Sequence, residues 1–161
     1  MNQTGSLVER PIFLYGTLQA LPLLAWALTG DSRNTSTVSP LLMNARLVGG
    51  YARFTVLGKD YPALIKHHDS SPVDGLLLFP LTMSQRTKLD DFEGGAYKAA
   101  RIKAIIAETE EVVDADVYLW NGEPDEVSKD PWDLAAFIKD RLEDWIDIFC
   151  GMELVGDEEE Q

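Results

Sequence analysis

Short apolar runs separated by glycine-containing turns dominate the first 120 residues of the chain. The runs are rich in aliphatic, aromatic and β-branched residues, which is typical of strands. In the last run, apolar Val113, Ala115 and Val117 alternate with Asp114 and Asp116, as expected when a strand exposes one face. We therefore predict strands at residues 11–15, 41–48, 51–57, 61–66, 73–79, 98–107 and 112–120.

Helical signals occur in three places. Pro22 and Gly30 delimit a short helix at residues 22–29, and a second short helix is predicted at 84–92. After Asp130 and Pro131, apolar residues recur at helical spacing: Leu134, Ile138, Leu142, Trp145 and Phe149. This pattern predicts one long amphipathic helix, from Pro131 to Cys150, packed on a sheet.

Many short strands, few helices and no regular strand–helix alternation favour an α+β fold built on an antiparallel sheet or barrel. The 161 residues contain no repeat and no composition break, so a single domain is predicted at residues 10–151. We expect a flexible N-terminus at residues 1–9 and a solvated acidic tail at residues 152–161.

The net charge of the chain argues against negatively charged binding partners. Asp and Glu number 27 against 14 Lys and Arg, so the net charge is −13. Such a surface repels nucleic acids and anionic membranes, and we expect neither as a partner. Cys150 is the single cysteine and cannot form an internal disulfide, which fits a cytoplasmic protein.

Metal-dependent chemistry is not indicated by the sequence. His67 and His68 are adjacent, and neighbouring residues of a strand point to opposite faces. No further histidine, and no cysteine or acidic cluster at ligand spacing, accompanies them. Cys150 ends a predicted helix and is interpreted as structural, so we expect no metal and no other cofactor.

Three acids, Asp90, Asp91 and Glu93, close the second predicted helix, where the helix dipole disfavours negative charge. Glu93 precedes two glycines, so a ligand or another backbone segment could approach it closely. A partly desolvated carboxylate there would suit acid–base catalysis. The alternative is that all three acids are solvated helix-end residues.

The segment Tyr15-Gly16-Thr17-Leu18 follows the first predicted strand and precedes a helix. Successive backbone N–H groups in such a turn can form a nest that binds a carboxylate or an oxyanion. The alternative is an ordinary turn between a strand and a helix.

These motifs, taken in order, resemble the gamma-glutamylcyclotransferase superfamily, in particular its avirulence-induced-gene-like branch. The matching segments are LYGTL at 14–18, YPAL at 61–64, VDGLL at 73–77, LDDFEG at 89–94 followed by Tyr97, and VYLW at 117–120. The resemblance implies a small barrel of mixed strands with flanking helices.

The resemblance also implies the residues of a site. Tyr15, Gly16, Thr17 and Leu18 would bind the substrate through backbone amides, Glu93 would be the catalytic acid and base, and Tyr97 would line the pocket. The implied reaction is cofactor-independent: a small-molecule gamma-glutamyl amide cyclises to 5-oxoproline and releases an amine.

The sequence departs from the family pattern at Ala99, where many relatives carry arginine. Arg101 lies two residues further on and would share the same strand face, which makes it a candidate substitute. The residues after Leu18 are also more apolar than in some members. The alternative is a non-catalytic domain that keeps the barrel and binds a small molecule or a partner. The sequence leaves the oligomeric state open.

Overall fold

The structure, a computed structural model, describes residues 10–47, 50–67, 73–79, 83–93 and 97–150. Within these ranges, the side chains of five residues lie outside the description: Met83, Asp91, Glu93, Phe149 and Cys150. The predicted flexible N-terminus and acidic tail also lie outside the described residues.

The strands of the described residues form two sheets. They are β1 (Ile12–Leu14), β2 (Leu42–Leu47), β3 (Tyr51–Val56), β4 (Pro62–Lys66), β5 (Asp74–Leu78), β6 (Tyr97–Ile106), β7 (Val112–Trp120) and β8 (Val127–Pro131). A closed barrel has the order β1-β5-β2-β6-β7, and the parallel pairing of β1 with β7 closes it. A smaller sheet has the order β4-β3-β8.

Five α-helices surround the sheets within the described part of the chain. They are α1 (Leu21–Thr29), α2 (Thr35–Val38), α3 (Met83–Glu93), α4 (Leu134–Asp140) and α5 (Leu142–Cys150). Single turns of 3₁₀ helix lie at Thr17–Gln19, Ser39–Leu41 and Pro124–Glu126. None of the helices described is long and apolar enough to cross a membrane.

Strand β1 is buried on both faces, which explains why its sequence is a continuous apolar run. Phe13 packs in the barrel interior, whereas Ile12 and Leu14 pack in the outer cluster beneath α1. Gly75 of β5 lets the neighbouring strand approach, because a Cβ there would lie 2.3 Å from the carbonyl oxygen of Leu14. The end of β1 is therefore held tightly, and the chain leaves it at Tyr15.

The fold class expected from the sequence is confirmed: the chain is an α+β protein with a small mixed barrel and flanking helices. The strand predictions agree with the observed strands to within one residue at each end. Residues 35–38, where no helix is predicted from the sequence, form the short helix α2.

The predicted long helix from Pro131 to Cys150 is wrong in its start and its continuity. Residues 127–131 pair with β3 as strand β8, and α4 begins at Leu134. Asp133 caps it, because its side chain accepts a hydrogen bond from the Ala135 N–H at 3.2 Å. Arg141 then leaves the helical conformation, at φ −128°, and separates α4 from α5.

Candidate functional site

A cavity of about 240 Å³ lies at the end of β1, between the barrel and the smaller sheet. Its described lining comes from several elements: residues 13–18, Tyr61 and Pro62, Phe92, Tyr97, Tyr118 and Trp145. All five residues predicted to bind substrate, Tyr15, Gly16, Thr17, Leu18 and Tyr97, are in this set. The described lining carries no charged side chain, so an ionic ligand would rely on dipoles or on residues outside the description.

The turn after β1 lies in the wall of this cavity. The N–H groups of Gln19 and Ala20 donate to the carbonyl oxygens of Gly16 and Thr17, both at 3.0 Å, and form a 3₁₀ turn. Among the described residues, no acceptor receives the N–H groups of Gly16, Thr17 or Leu18. Three successive N–H groups without a protein acceptor at the wall of a cavity suit a carboxylate or a developing oxyanion.

Arg53 of β3 fixes the first peptide of this turn. Its Nη1 donates to the carbonyl oxygen of Tyr15 at 2.8 Å and to that of Asp74 at 3.0 Å. In a planar trans peptide, the carbonyl of Tyr15 and the N–H of Gly16 point in opposite directions. The guanidinium therefore orients and polarises the Gly16 N–H from the far side of the same peptide group.

The tyrosine hydroxyls of the cavity bind protein acceptors. Tyr97 donates to the Pro62 carbonyl oxygen at 2.6 Å, and Tyr15 donates to the Tyr118 carbonyl oxygen. The Tyr97 ring also makes edge contacts with Tyr61 and Trp120, at centroid distances of 6.2 and 5.7 Å. These bonds hold the rings in place, so that Tyr97 offers a fixed aromatic surface to the cavity.

Helix α3 brings its C-terminal end to the same cavity. Leu89 is fully buried, and Phe92 both lines the cavity and contacts Trp26 at a centroid distance of 6.4 Å. Glu93 directly follows Phe92 and is the last residue of α3. The side chain of Glu93 lies outside the described residues, so its catalytic role stays a prediction.

A part-buried ion network, which the sequence analysis missed, ties α3 to the barrel. Asp116 of β7 accepts hydrogen bonds from Arg10 Nε at 3.0 Å and from Arg86 Nη1 at 2.7 Å. Arg86 also binds Asp90 Oδ1 at 3.0 Å, and Tyr118 donates to the same oxygen at 2.6 Å. Burial alone would lower the pKa of Arg86, but its bonds to Asp116 and Asp90 raise it above the ordinary value. Asp90 is therefore part of this network, rather than simply a solvated helix-end acid.

A second cluster holds the C-terminal helices against the cavity. Asp60 Oδ2 accepts hydrogen bonds from Arg141 Nε and from Trp145 Nε1, both at 2.9 Å. The Trp132 Nε1 donates to the Asp60 carbonyl oxygen at 2.8 Å. Burial alone would raise the pKa of Asp60, but the hydrogen bonds from Trp145 and Arg141 lower it. This cluster brings Trp145, far along the chain, to the wall of the cavity.

The remaining residues singled out in the sequence are not part of the described lining of the cavity. Ala99 and Arg101 are both exposed on β6, and neither is in the described lining of the cavity. His67 contacts Phe54 edge-on at 5.7 Å, while His68 lies outside the described residues, as does the Cys150 side chain. Within the described residues, no group of three or more His, Cys, Asp or Glu is placed to hold a metal ion.

The barrel and its cavity define the class: an α+β barrel protein with a ligand-sized pocket at one end of the barrel. The chain belongs to the family described as gamma-glutamyl cyclotransferase, AIG2-like, whose model matches residues 12–134. The resemblance noted in the sequence is thereby confirmed at the level of the family. This family includes enzymes, and it supports a gamma-glutamylcyclotransferase-like function in general.

The chain is similar over most of its length to plant members of this family. It is 24% identical to AIG2-like protein D of Arabidopsis thaliana over 144 residues, covering 89% of this chain and 88% of the relative. It is 26% identical to AIG2-like protein C of the same plant over 135 residues, covering 84% of this chain and 73% of the relative.

Solved structures share the fold. A solution structure from Arabidopsis thaliana superposes with a TM-score of 0.60 at 21% identity, covering 87% of both chains. A solved gamma-glutamyl cyclotransferase superposes with a TM-score of 0.55 at 15% identity, covering 91% of this chain and 89% of that one. At these identities, the likeness establishes the architecture alone.

Proposed function

We propose that the chain is an enzyme that cyclises a gamma-glutamyl amide to 5-oxoproline and releases the amine. One observation carries this proposal: three N–H donors without an acceptor among the described residues line a cavity that also receives the end of α3. Family membership adds to it, because the family contains cyclotransferases.

The cavity suits the glutamyl half of such a substrate. Its α-carboxylate, or the oxyanion that develops at the γ-carbonyl, can accept hydrogen bonds from the Gly16, Thr17 and Leu18 N–H groups. Apolar and aromatic walls exclude water from the methylene carbons. A net charge of −13 does not prevent anion binding when main-chain dipoles make the contacts.

The reaction needs a folded substrate more than a reactive cofactor. The α-amine of the glutamyl group attacks its own γ-carbonyl carbon and closes a five-membered ring, and the carbon–nitrogen bond to the leaving amine then breaks. Holding the two ends together is itself effective, since well-oriented intramolecular reactions reach effective molarities of roughly 10⁵–10⁸ M.

Proton transfer is the role assigned to Glu93. The attacking nitrogen must lose a proton, and the leaving nitrogen must gain one, so a single carboxylate can do both in sequence. Glu93 has the appropriate position in the chain, because Phe92, the preceding residue, lines the cavity.

The direct test is incubation of the full chain with a panel of gamma-glutamyl amides, followed by detection of 5-oxoproline and free amine in equal amounts. Formation of both products supports the proposal. Binding of the amides without conversion would contradict the proposal and favour the non-catalytic alternative, a domain that binds small molecules with the same barrel.

Substitution of Gly16 tests the cradle of N–H donors. A Cβ at Gly16 would lie 2.9 Å from Pro62 Cγ and 3.1 Å from Cδ, and the proline ring has little freedom to yield. We expect Gly16→Val to raise KM at least tenfold and Gly16→Ala to have a smaller effect. Steady-state kinetics measure this, and thermal melts separate it from unfolding. An unchanged KM in a folded Val variant would remove the turn from substrate binding.

Arg53 tests whether the orientation of the Gly16 N–H matters. We expect Arg53→Ala to weaken substrate binding about tenfold, or roughly 1.4 kcal/mol, because the Tyr15–Gly16 peptide loses its anchor. The matched control is Arg46→Ala, since Arg46 binds the exposed Glu110 at 2.7 Å, away from the described lining. Equal effects of the two substitutions on KM would refute a positioning role for Arg53.

A further inference from the structure

Trp145 lies in a wall of the cavity contributed by the C-terminal helix α5. Its ring packs edge-on against Phe137 of α4 at 5.1 Å, and the residue contacts the outer core cluster. Its N–H is bonded to Asp60, the residue that directly precedes Tyr61 in the same cavity lining. Trp145 and Tyr61 are therefore held in a common unit.

Several hydrogen bonds hold this unit in one geometry. Arg141 and Trp145 bind the same carboxylate oxygen of Asp60, and Arg141 also binds Asp144 at 2.9 Å. The Trp132 Nε1, two residues before α4, donates to the carbonyl oxygen of Asp60. With its N–H directed to Asp60, the Trp145 indole contributes apolar ring surface to the cavity.

Most of the cavity lining outside the cradle, the backbone N–H groups of Gly16, Thr17 and Leu18, is aromatic. Tyr61, Phe92, Tyr97 and Trp145 line it, and the Tyr97 hydroxyl donates to a backbone carbonyl. The described lining contains no charged side chain. A charged amine portion would lose its contacts with water on entering the cavity. Moving an anionic group into such surroundings without a positive partner is strongly unfavourable, and the Glu93 carboxylate assigned above to proton transfer would add repulsion. Aromatic rings, in contrast, gain from stacking on one another.

We infer that the cavity selects gamma-glutamyl amides whose amine portion is apolar and carries no negative charge, with aromatic amines favoured, and that Trp145 determines this selectivity. This inference rests on the proposed function, because it assigns the glutamyl group to the N–H cradle. The amine portion then occupies the aromatic wall.

The experiment compares kcat/KM for gamma-glutamyl benzylamide, gamma-glutamyl methylamide and gamma-glutamyl glutamate. The wild-type chain is expected to prefer the benzylamide over the glutamate compound by at least tenfold. Trp145→Ala is expected to lower kcat/KM for the benzylamide at least fivefold more than for the methylamide, and Trp145→Phe to retain most of the preference. Ile148→Ala is the matched control, since Ile148 lies exposed on the same helix at 62% relative accessibility.

Two kinetic results would overturn the inference. One is a wild-type chain that converts the glutamate compound as well as the benzylamide. The other is a Trp145→Ala variant that loses activity equally on the benzylamide and the methylamide. If no amide is converted, the proposed function fails, and calorimetric affinities for the same compounds test the selectivity: equal affinities in the wild type contradict it.

Discussion

Glu93→Gln is expected to lower kcat for a gamma-glutamyl amide by about 10²–10⁴-fold, the usual contribution of general acid–base catalysis. Glutamine keeps the size and the hydrogen-bonding reach of glutamate but cannot take up and return a proton. KM is expected to stay within a few-fold, because the substrate is held by the cradle and the aromatic walls. Steady-state kinetics with detection of 5-oxoproline measure both constants.

Glu108→Gln is the matched control for this substitution. Glu108 lies exposed in the turn between β6 and β7 and is not in the described lining, so the same chemical change should leave kcat unaltered. A Gln variant with near wild-type turnover would exclude Glu93 as the proton carrier.

The barrel could be predicted because its signals are local. Alternating or continuous apolar runs mark each strand, and glycine-containing turns separate them. The position of α1 could also be predicted, because Gly30 ends the helix in a left-handed conformation, at φ 82°, that glycine adopts easily. Such features depend on residues within a few positions of one another.

The C-terminal region illustrates where local signals fail. Pro131 suits a first helical turn, but it pairs with Phe54 at the end of β8, and the observed cap is Asp133. The apolar spacing then continues across Arg141, where the chain departs from the helix while Arg141 binds Asp60. The hydrogen bond between Arg141 and Asp60 joins residues 81 positions apart, and the spacing of apolar residues cannot predict it.

The residues of the site also fall into two groups, those with a local sequence signal and those without one. Residues 15–18 and Tyr97 were identified from their motifs, and the structure brings them together around one cavity. Arg53 and Trp145 were missed, because each reaches the site through contacts with residues 38 and 85 positions away in the sequence. An arginine or a tryptophan on an amphipathic strand or helix does not by itself indicate a contact with the site.

Asp116 gives the clearest example of a hidden contact, and its substitution carries the second large expected effect. The alternation in β7 suggests that Asp114 and Asp116 share a solvent-facing side, yet Asp116 is only 5% exposed. It balances Arg86 of α3, whose side chain is 13% exposed, and the half-exposed Arg10. Removing one partner of a buried pair typically costs about 3–5 kcal/mol, because it leaves an uncompensated charge.

We therefore expect Asp116→Asn to lower the free energy of unfolding by about 3 kcal/mol, since Arg86 keeps its bond to Asp90. For a chain of this length, that corresponds to a decrease in Tm of roughly 6–12 °C. Denaturant titration and thermal melting measure the change. Because Arg86 anchors α3, whose end carries Phe92 and Glu93, kcat should also fall at temperatures where the variant is fully folded.

Asp114→Asn is the matched control, two residues earlier on the same side of β7. Asp114 is about half exposed and pairs with the exposed Lys103 at 2.7 Å. Exposed pairs of this kind contribute about 0.2–1 kcal/mol, so the control should shift stability by no more than that. Equal losses in the two variants would mean that Asp116 acts as a surface charge and that α3 is held to the barrel by apolar packing alone. A large loss confined to Asp116→Asn, with a lowered kcat, would instead identify the ion network as the support that keeps the end of α3 at the cavity.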